Sequence, residues 1–209
     1  MSTTDHVVRM YIHDVRGRFG ETRRLAEKAL AQLSPDAFKA GLPGSEGNSA
    51  AVLVKHIAGH LTSRWTNFLT EDGDKPDRDR EGEFAIWGES REDLMERWDE
   101  AWRCLLESLE GLTHADLAAT VAIRGEPHSV PAAINRSLAH ASYHVGQIVQ
   151  LARWHRGAEW ESLSIPPGGT DEYKRVMAER FPSEPVLELE EDPFENYLAD
   201  DLLGGNPSD

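Results

Sequence analysis

The chain has 209 residues, 39% hydrophobic and 28% charged, with a formal net charge of −15. It is long enough for one domain with a sizeable core. No apolar run approaches the ~20 residues that span a bilayer, and the acidic balance repels phosphate backbones, so neither a membrane nor a nucleic acid is expected as partner. Residues 1–9 lack the basic and apolar segments of a secretory signal, so a cytoplasmic protein is expected.

The first predicted helix covers about residues 7–33. Val8, Tyr11, Val15, Phe19, Thr22, Ala26, Ala29 and Leu33 recur every three or four residues and define one face. Pro35 ends it, and the loop Gly41-Leu42-Pro43-Gly44 follows. Asn48 or Ser49 caps a second helix that runs to about Leu69, with Leu53, Ile57, Leu61, Trp65 and Phe68 as its apolar positions. The stretch from Glu71 to Arg80 is too polar and broken for a core helix. Ser90 and Asp93 have capping-box spacing and open a third helix, whose inner stripe is Leu94, Trp98, Ala101, Leu105, Leu109 and Leu112.

Between Ala119 and Val130 the pattern changes to alternation, with Arg124-Gly125-Glu126-Pro127 as a turn; a small β-hairpin is expected. Ser129 and Pro131 open a fourth helix that continues to about Arg156. Gly157 and Pro166-Pro167-Gly168-Gly169 end the regular region. Residues 183–209 carry nine Asp or Glu and no Lys or Arg, which describes a solvated acidic tail expected to be disordered, with a short docking segment at Phe194-Glu195-Asn196-Tyr197-Leu198 as the alternative reading. The expectation is an all-α protein, a four-helix bundle at residues 1–182 followed by the tail. The link of roughly 20 residues between the second and third helices exceeds an ordinary loop, can cross the bundle, and would leave those helices parallel.

The chemistry-bearing cluster is on the fourth helix. His140 and His144 lie one turn apart on the stripe that carries Ala133, Ser137, Ile148 and Leu151. Two imidazoles on an inward stripe need polar partners, and a metal ion supplies one. On the spacing alone, ordinary hydrogen-bonded histidines are the favoured reading over a metal pair. A third ligand must come from another helix, and the second helix offers both His56 and His60. Periodicity does not choose between them.

The blocks Asn48-Ser49, Lys55-His56-Ile57-Ala58-Gly59, Ser63-Arg64-Trp65, Asp72-Gly73-Asp74-Lys75-Pro76, Arg78-Asp79-Arg80, Glu83-Phe84, His140 to Ile148 and Leu163-Ser164-Ile165-Pro166 give the chain a family look over about residues 7–175. Together they resemble an uncharacterised bacterial subgroup of the DinB-like superfamily, which includes the YfiT-type metal-dependent hydrolases. The resemblance implies an up-down-down-up bundle, homodimer packing, and a single divalent ion (Zn, Ni or Fe) held by His56, His140 and His144. It also implies a metal-dependent enzyme, a thiol-dependent transferase or a hydrolase, acting on a small molecule with a low-molecular-weight thiol as a partner. The alternative is a non-catalytic metal-binding or stress-response protein. His60 stands where the subgroup often has asparagine, and Pro167 where arginine is expected.

Around such an ion His60, Arg64 and Gln147 are candidates to touch ligands or substrate. Gln147, Asn67 and Glu71 are candidate acceptors for the ligands' other N–H groups. No Glu or Asp beside the histidines in sequence suggests itself as a general base. Arg64 has a second reading, pairing with acids between Asp72 and Glu83. Trp65 and Trp98 are expected in the core, Tyr143 on a packing or dimer face, and Cys104 as an inert packed residue.

Overall fold

The computed structural model describes residues 3–44 and 47–181. The expected acidic tail and its docking segment lie outside the described residues. The described residues divide after Trp160 into two units.

In the first unit, α1 (Thr3–Ala31) buries Ile12, Val15, Phe19, Ala26, Ala29 and Leu30, which recur at helical spacing. The stripe is the expected one, except that Ile12 rather than Tyr11 takes the inner position. The helix stops before Leu33 because Ser34 precedes a proline and is held extended. Ser34 then caps a separate short helix, α2 (Pro35–Lys39), by accepting from the Ala37 amide at 3.2 Å. Ser49 caps α3 (Ala50–Trp65) in the same way, accepting from Val52 N at 3.3 Å. That helix ends four residues short of the expected Leu69. Thr66 turns extended and Asn67 takes φ of 50°, a left-handed conformation that asparagine tolerates better than most residues.

The crossover from residue 66 to residue 90 contains a single 3-10 turn, Glu81–Phe84. It is tied to α3 by Ser63, whose hydroxyl donates to Gly73 O at 2.9 Å and accepts from Lys75 N at 3.2 Å. A reciprocal capping box of Ser90 and Asp93 opens α4 (Arg91–Glu110), which buries Leu94, Trp98, Ala101, Trp102, Leu105 and Leu109. A second box, Thr113 with Asp116, opens the short α5 (His114–Leu117).

The antiparallel hairpin follows, β1 (Thr120–Ile123) and β2 (Glu126–Ser129), in register Thr120 with Ser129 and Ile123 with Glu126. Its turn is narrower than the expected four residues. Arg124 and Gly125 alone make it, at φ of 57° and 74°, the left-handed pair of a two-residue hairpin turn. The Asp72 carboxylate from the crossover receives both their amides, at 2.8 and 2.7 Å. The longest element after α1 is α6 (Val130–Arg156), capped by Ser129 and closed by Gly157 at φ 55°.

α3 packs on α4 and α6, and α1 packs on α6 and α4. Their shared core is aromatic. Phe19 meets Trp65 and Trp102 edge-on, with centroids 6.0 and 6.3 Å apart. The Trp65 indole N–H donates to Ser137 Oγ at 3.1 Å, so α3 and α6 are joined by a satisfied polar contact inside apolar surroundings. Each fully buried leucine here contributes ~1.5–3 kcal/mol. No described helix is long and apolar enough to cross a membrane.

The described part of the second unit holds α7 (Thr170–Arg180), beyond the glycines that were expected to end regular structure. Arg175 links Glu172 and Glu179 along it, at 2.5 and 3.1 Å, the spacing at which helical side chains meet. The described residues are thus mostly helical with one small antiparallel sheet.

Candidate metal centre

Packing of α3 on α6 brings His56, His140 and His144 together. One ring nitrogen from each lies within 4.8 Å of the others. His56 and His144 are buried and His140 is half-buried. The His56 and His140 Nε2 atoms are 3.3 Å apart. Two nitrogens bonded to one tetrahedral zinc at 2.0–2.1 Å would be separated by about 3.4 Å, so this pair already has the spacing an ion needs.

Hydrogen bonds on the far sides of the His56 and His144 rings leave their inner nitrogens available. His144 Nδ1 lies 2.8 Å from the side-chain oxygen of Gln147, an acceptor, so Nδ1 donates and Nε2 carries the lone pair. His56 Nδ1 lies 2.8 Å from Glu83 Oε2. His140 Nδ1 is buried and has no partner among the described residues. Burial, and then the neighbouring His144 and His56 rings, push the His140 pKa down to about 3. Burial also lowers His144, against the opposing effect of the hydrogen bond it donates to Gln147. Both rings are therefore neutral at pH 7, the form in which imidazole binds metal. The donor set fits a divalent ion of the zinc, nickel or iron type.

The remaining expectations divide cleanly. His60 is not one of the converging three. Its ring stacks on His140, with centroids 3.9 Å apart at 25°, and its buried Nε2 has no partner among the described residues. Burial, and then His140, hold its pKa well below the ordinary value. Arg64 turns away to the crossover, donating to Gly73 O and pairing with Asp74 Oδ1 at 3.3 Å, so its reading as a partner of the loop acids holds. Of the three candidate acceptors, Gln147 reaches a histidine. Asn67 and Glu71 bond to each other at 2.8 Å instead, because the early end of α3 turns Asn67 off the helix. Tyr143 is exposed, while Trp65 and Trp98 are in the core.

Glu83 was not assigned a role from sequence. It is a buried carboxylate on the 3-10 turn, and Arg78 grips it with two bonds, Nε to Oε1 at 2.7 Å and Nη2 to Oε2 at 2.8 Å. Burial raises its pKa, but the bonds from His56 and Arg78 outweigh that and hold it below the usual carboxylate range. Gly59 on α3 makes the approach feasible, since a Cβ there would fall 2.7 Å from the Glu83 carboxyl carbon. Phe84 covers His56, with ring centroids 4.7 Å apart. A loop residue 27 positions from its partner leaves no periodic trace, and only the unexplained glycine one turn beyond His56 hinted at a close approach.

A cleft of roughly 760 Å3 lies on the crossover side, bordered by Lys55, Gly59, Arg78, Glu83, Trp87 and Glu100 among others. None of the three histidines lines it, so Glu83 and Arg78 stand between this cleft and the rings. The geometry of the rings, not the size of that cleft, marks the site.

Residues 6–169 match the model of a family described as Protein of unknown function (DUF1572). No curated protein matches the chain. No solved structure matches it either.

Proposed function

The chain belongs to this DUF1572 family, and from that premise and the histidine geometry we propose that it holds one divalent ion through His56, His140 and His144. The observation that carries this is the convergence of one ring nitrogen from each of the three histidines within 4.8 Å of the others. A hydrogen bond from a neutral His140 spans the 3.3 Å to His56 Nε2 but joins only two of the three rings, whereas an ion joins all three.

We read the four long helices α1, α3, α4 and α6 as an up-down-down-up bundle of the DinB-like kind, with the crossover carrying the chain back along it. Three protein ligands leave further coordination positions open, as in catalytic rather than structural sites. An ion held there lowers the pKa of bound water toward neutrality or stabilises a thiolate. The reaction that fits best is a thiol-dependent transfer or a hydrolysis on a small molecule. Glu83 does not serve as its general base, because both of its oxygens are engaged by Arg78 and one by His56. That engagement favours a thiolate nucleophile, which needs no separate base once bound. It equally suits the second reading, metal binding without turnover.

Metal analysis of protein purified without a histidine tag tests the first step. Close to one ion per chain is expected, and none in His140→Ala. Consumption of low-molecular-weight thiols with electrophilic substrates then separates an enzyme from a binding protein. Metal retained in full by His140→Ala would remove the proposal.

A further inference from the structure

We propose that Glu83, clamped by Arg78, selects the ring nitrogen that His56 presents to the other histidines, making Glu83 a positioning residue of the centre. The inference rests on the metal reading given above.

The argument is one of donors and acceptors. A neutral imidazole carries one N–H and one lone pair, and either nitrogen can hold the proton. Glu83 Oε2, 2.8 Å from His56 Nδ1, can only accept once the carboxylate is ionised. Arg78 favours that state, because two of its N–H groups donate to the two carboxylate oxygens and stabilise the negative charge. The His56 proton is therefore fixed on Nδ1 and the lone pair on Nε2, the atom that faces His140. Gln147 does the same for His144 from its own helix.

The two supports differ in where they come from. Gln147 is one turn along α6 from its histidine, so α6 alone supplies it. Glu83 reaches α3 only if the crossover is folded, and that folding has its own fixings. Asp79 Oδ1 accepts the Gly82 amide at 2.9 Å to build the turn. Lys55, next to His56 in sequence, donates to Ala85 O at 2.7 Å and to Glu89 at 2.5 Å, holding down the segment after it. Gly59 leaves room for the carboxyl group. Ligand orientation at His56 is thus coupled to the order of the crossover, whereas at His144 it is not.

Nitrogen-15 NMR of histidine-labelled, metal-free protein at pH 7.5 reads the tautomer directly. His56 is expected as the Nδ1–H form in the wild type and as a mixture in Glu83→Gln, whose amide has one oxygen and one NH2 and so cannot accept all three bonds that His56 and Arg78 give the carboxylate. Zinc affinity, measured by competition with a chelating dye, is expected to fall ~10–100-fold in that variant with stoichiometry retained. Circular dichroism and urea midpoints report whether Glu83→Gln is folded. If it is not, the wild-type spectrum still decides, since His56 found as the Nε2–H form overturns the inference. An unchanged tautomer and unchanged affinity in folded Glu83→Gln overturn it too, while leaving the metal reading intact. Wild-type protein that takes up no zinc defeats the metal reading instead, and the tautomer spectrum then still accepts or rejects the role of Glu83.

Discussion

Replacing Gly59 by alanine sets two effects of opposite sign against each other. In a helix interior the change ordinarily stabilises by ~0.5–1 kcal/mol, because alanine loses less backbone freedom on folding. Here the new Cβ would lie 2.7 Å from the Glu83 carboxyl carbon and 3.2 Å from its Cγ. Restoring ordinary contact at 3.4 Å moves the carboxyl carbon by about 0.7 Å. A shift of that size along the His56 bond lengthens 2.8 Å to about 3.5 Å, beyond hydrogen-bond range. A buried donor left unsatisfied costs ~1–3 kcal/mol, and disturbing the buried Arg78 pair adds to it. Gly59→Ala is therefore expected to destabilise by roughly 1–3 kcal/mol and to weaken zinc binding. Gly17→Ala on α1, where a Cβ meets nothing within 4 Å, is expected to stabilise by ~0.5–1 kcal/mol. Urea unfolding of both variants against wild type measures the contrast. A Gly59→Ala protein as stable as Gly17→Ala, with unchanged metal affinity, would refute the reasoning.

Acid should weaken the metal-free fold early. His140, His144 and His60 have native pKa values below that of an unfolded histidine, so the unfolded state binds more protons as pH falls from about 6.5, and stability is lost from there down toward pH 3. Urea midpoints at pH 7, 6, 5 and 4 should decline steadily, and a midpoint that rises over this range would contradict it. Ser90→Ala removes the hydroxyl that accepts from Asp93 N at 3.0 Å and should cost ~1 kcal/mol in the same assay. Asp72→Ala leaves the amides of Asp74, Arg124 and Gly125 without their acceptor. Water can replace the acceptor at the exposed Arg124 and Gly125 amides, so the change should cost ~0.5–1.5 kcal/mol and speed amide exchange at the hairpin turn.

The long helices and their caps were legible because they follow local rules. Apolar spacing gave the inner stripes, and Ser49, Ser90 and Ser129 marked starts through hydroxyls that accept from amides three residues on. The converging histidines were legible in part. Spacing paired His140 with His144, but the choice of His56 over His60 came from family resemblance, and packing of α3 on α6 decides it in space. The short α5 was legible in principle, since Thr113 and Asp116 carry the same box as Ser90 and Asp93. What stayed hidden was long-range. Glu83 meets His56 through a folded crossover, and Asp72 meets the hairpin turn across 52 positions. Neither contact has a period, because each is set by where an irregular segment lands on elements already packed.

X-ray absorption at the zinc edge of zinc-loaded protein is the most direct test of the centre. The expected spectrum shows three imidazole ligands at about 2.0–2.1 Å plus an oxygen or sulfur scatterer in the open position, with the imidazole signal reduced in His144→Ala. A zinc environment of oxygen ligands with no imidazole contribution, unchanged by that substitution, would contradict a shared ion between α3 and α6.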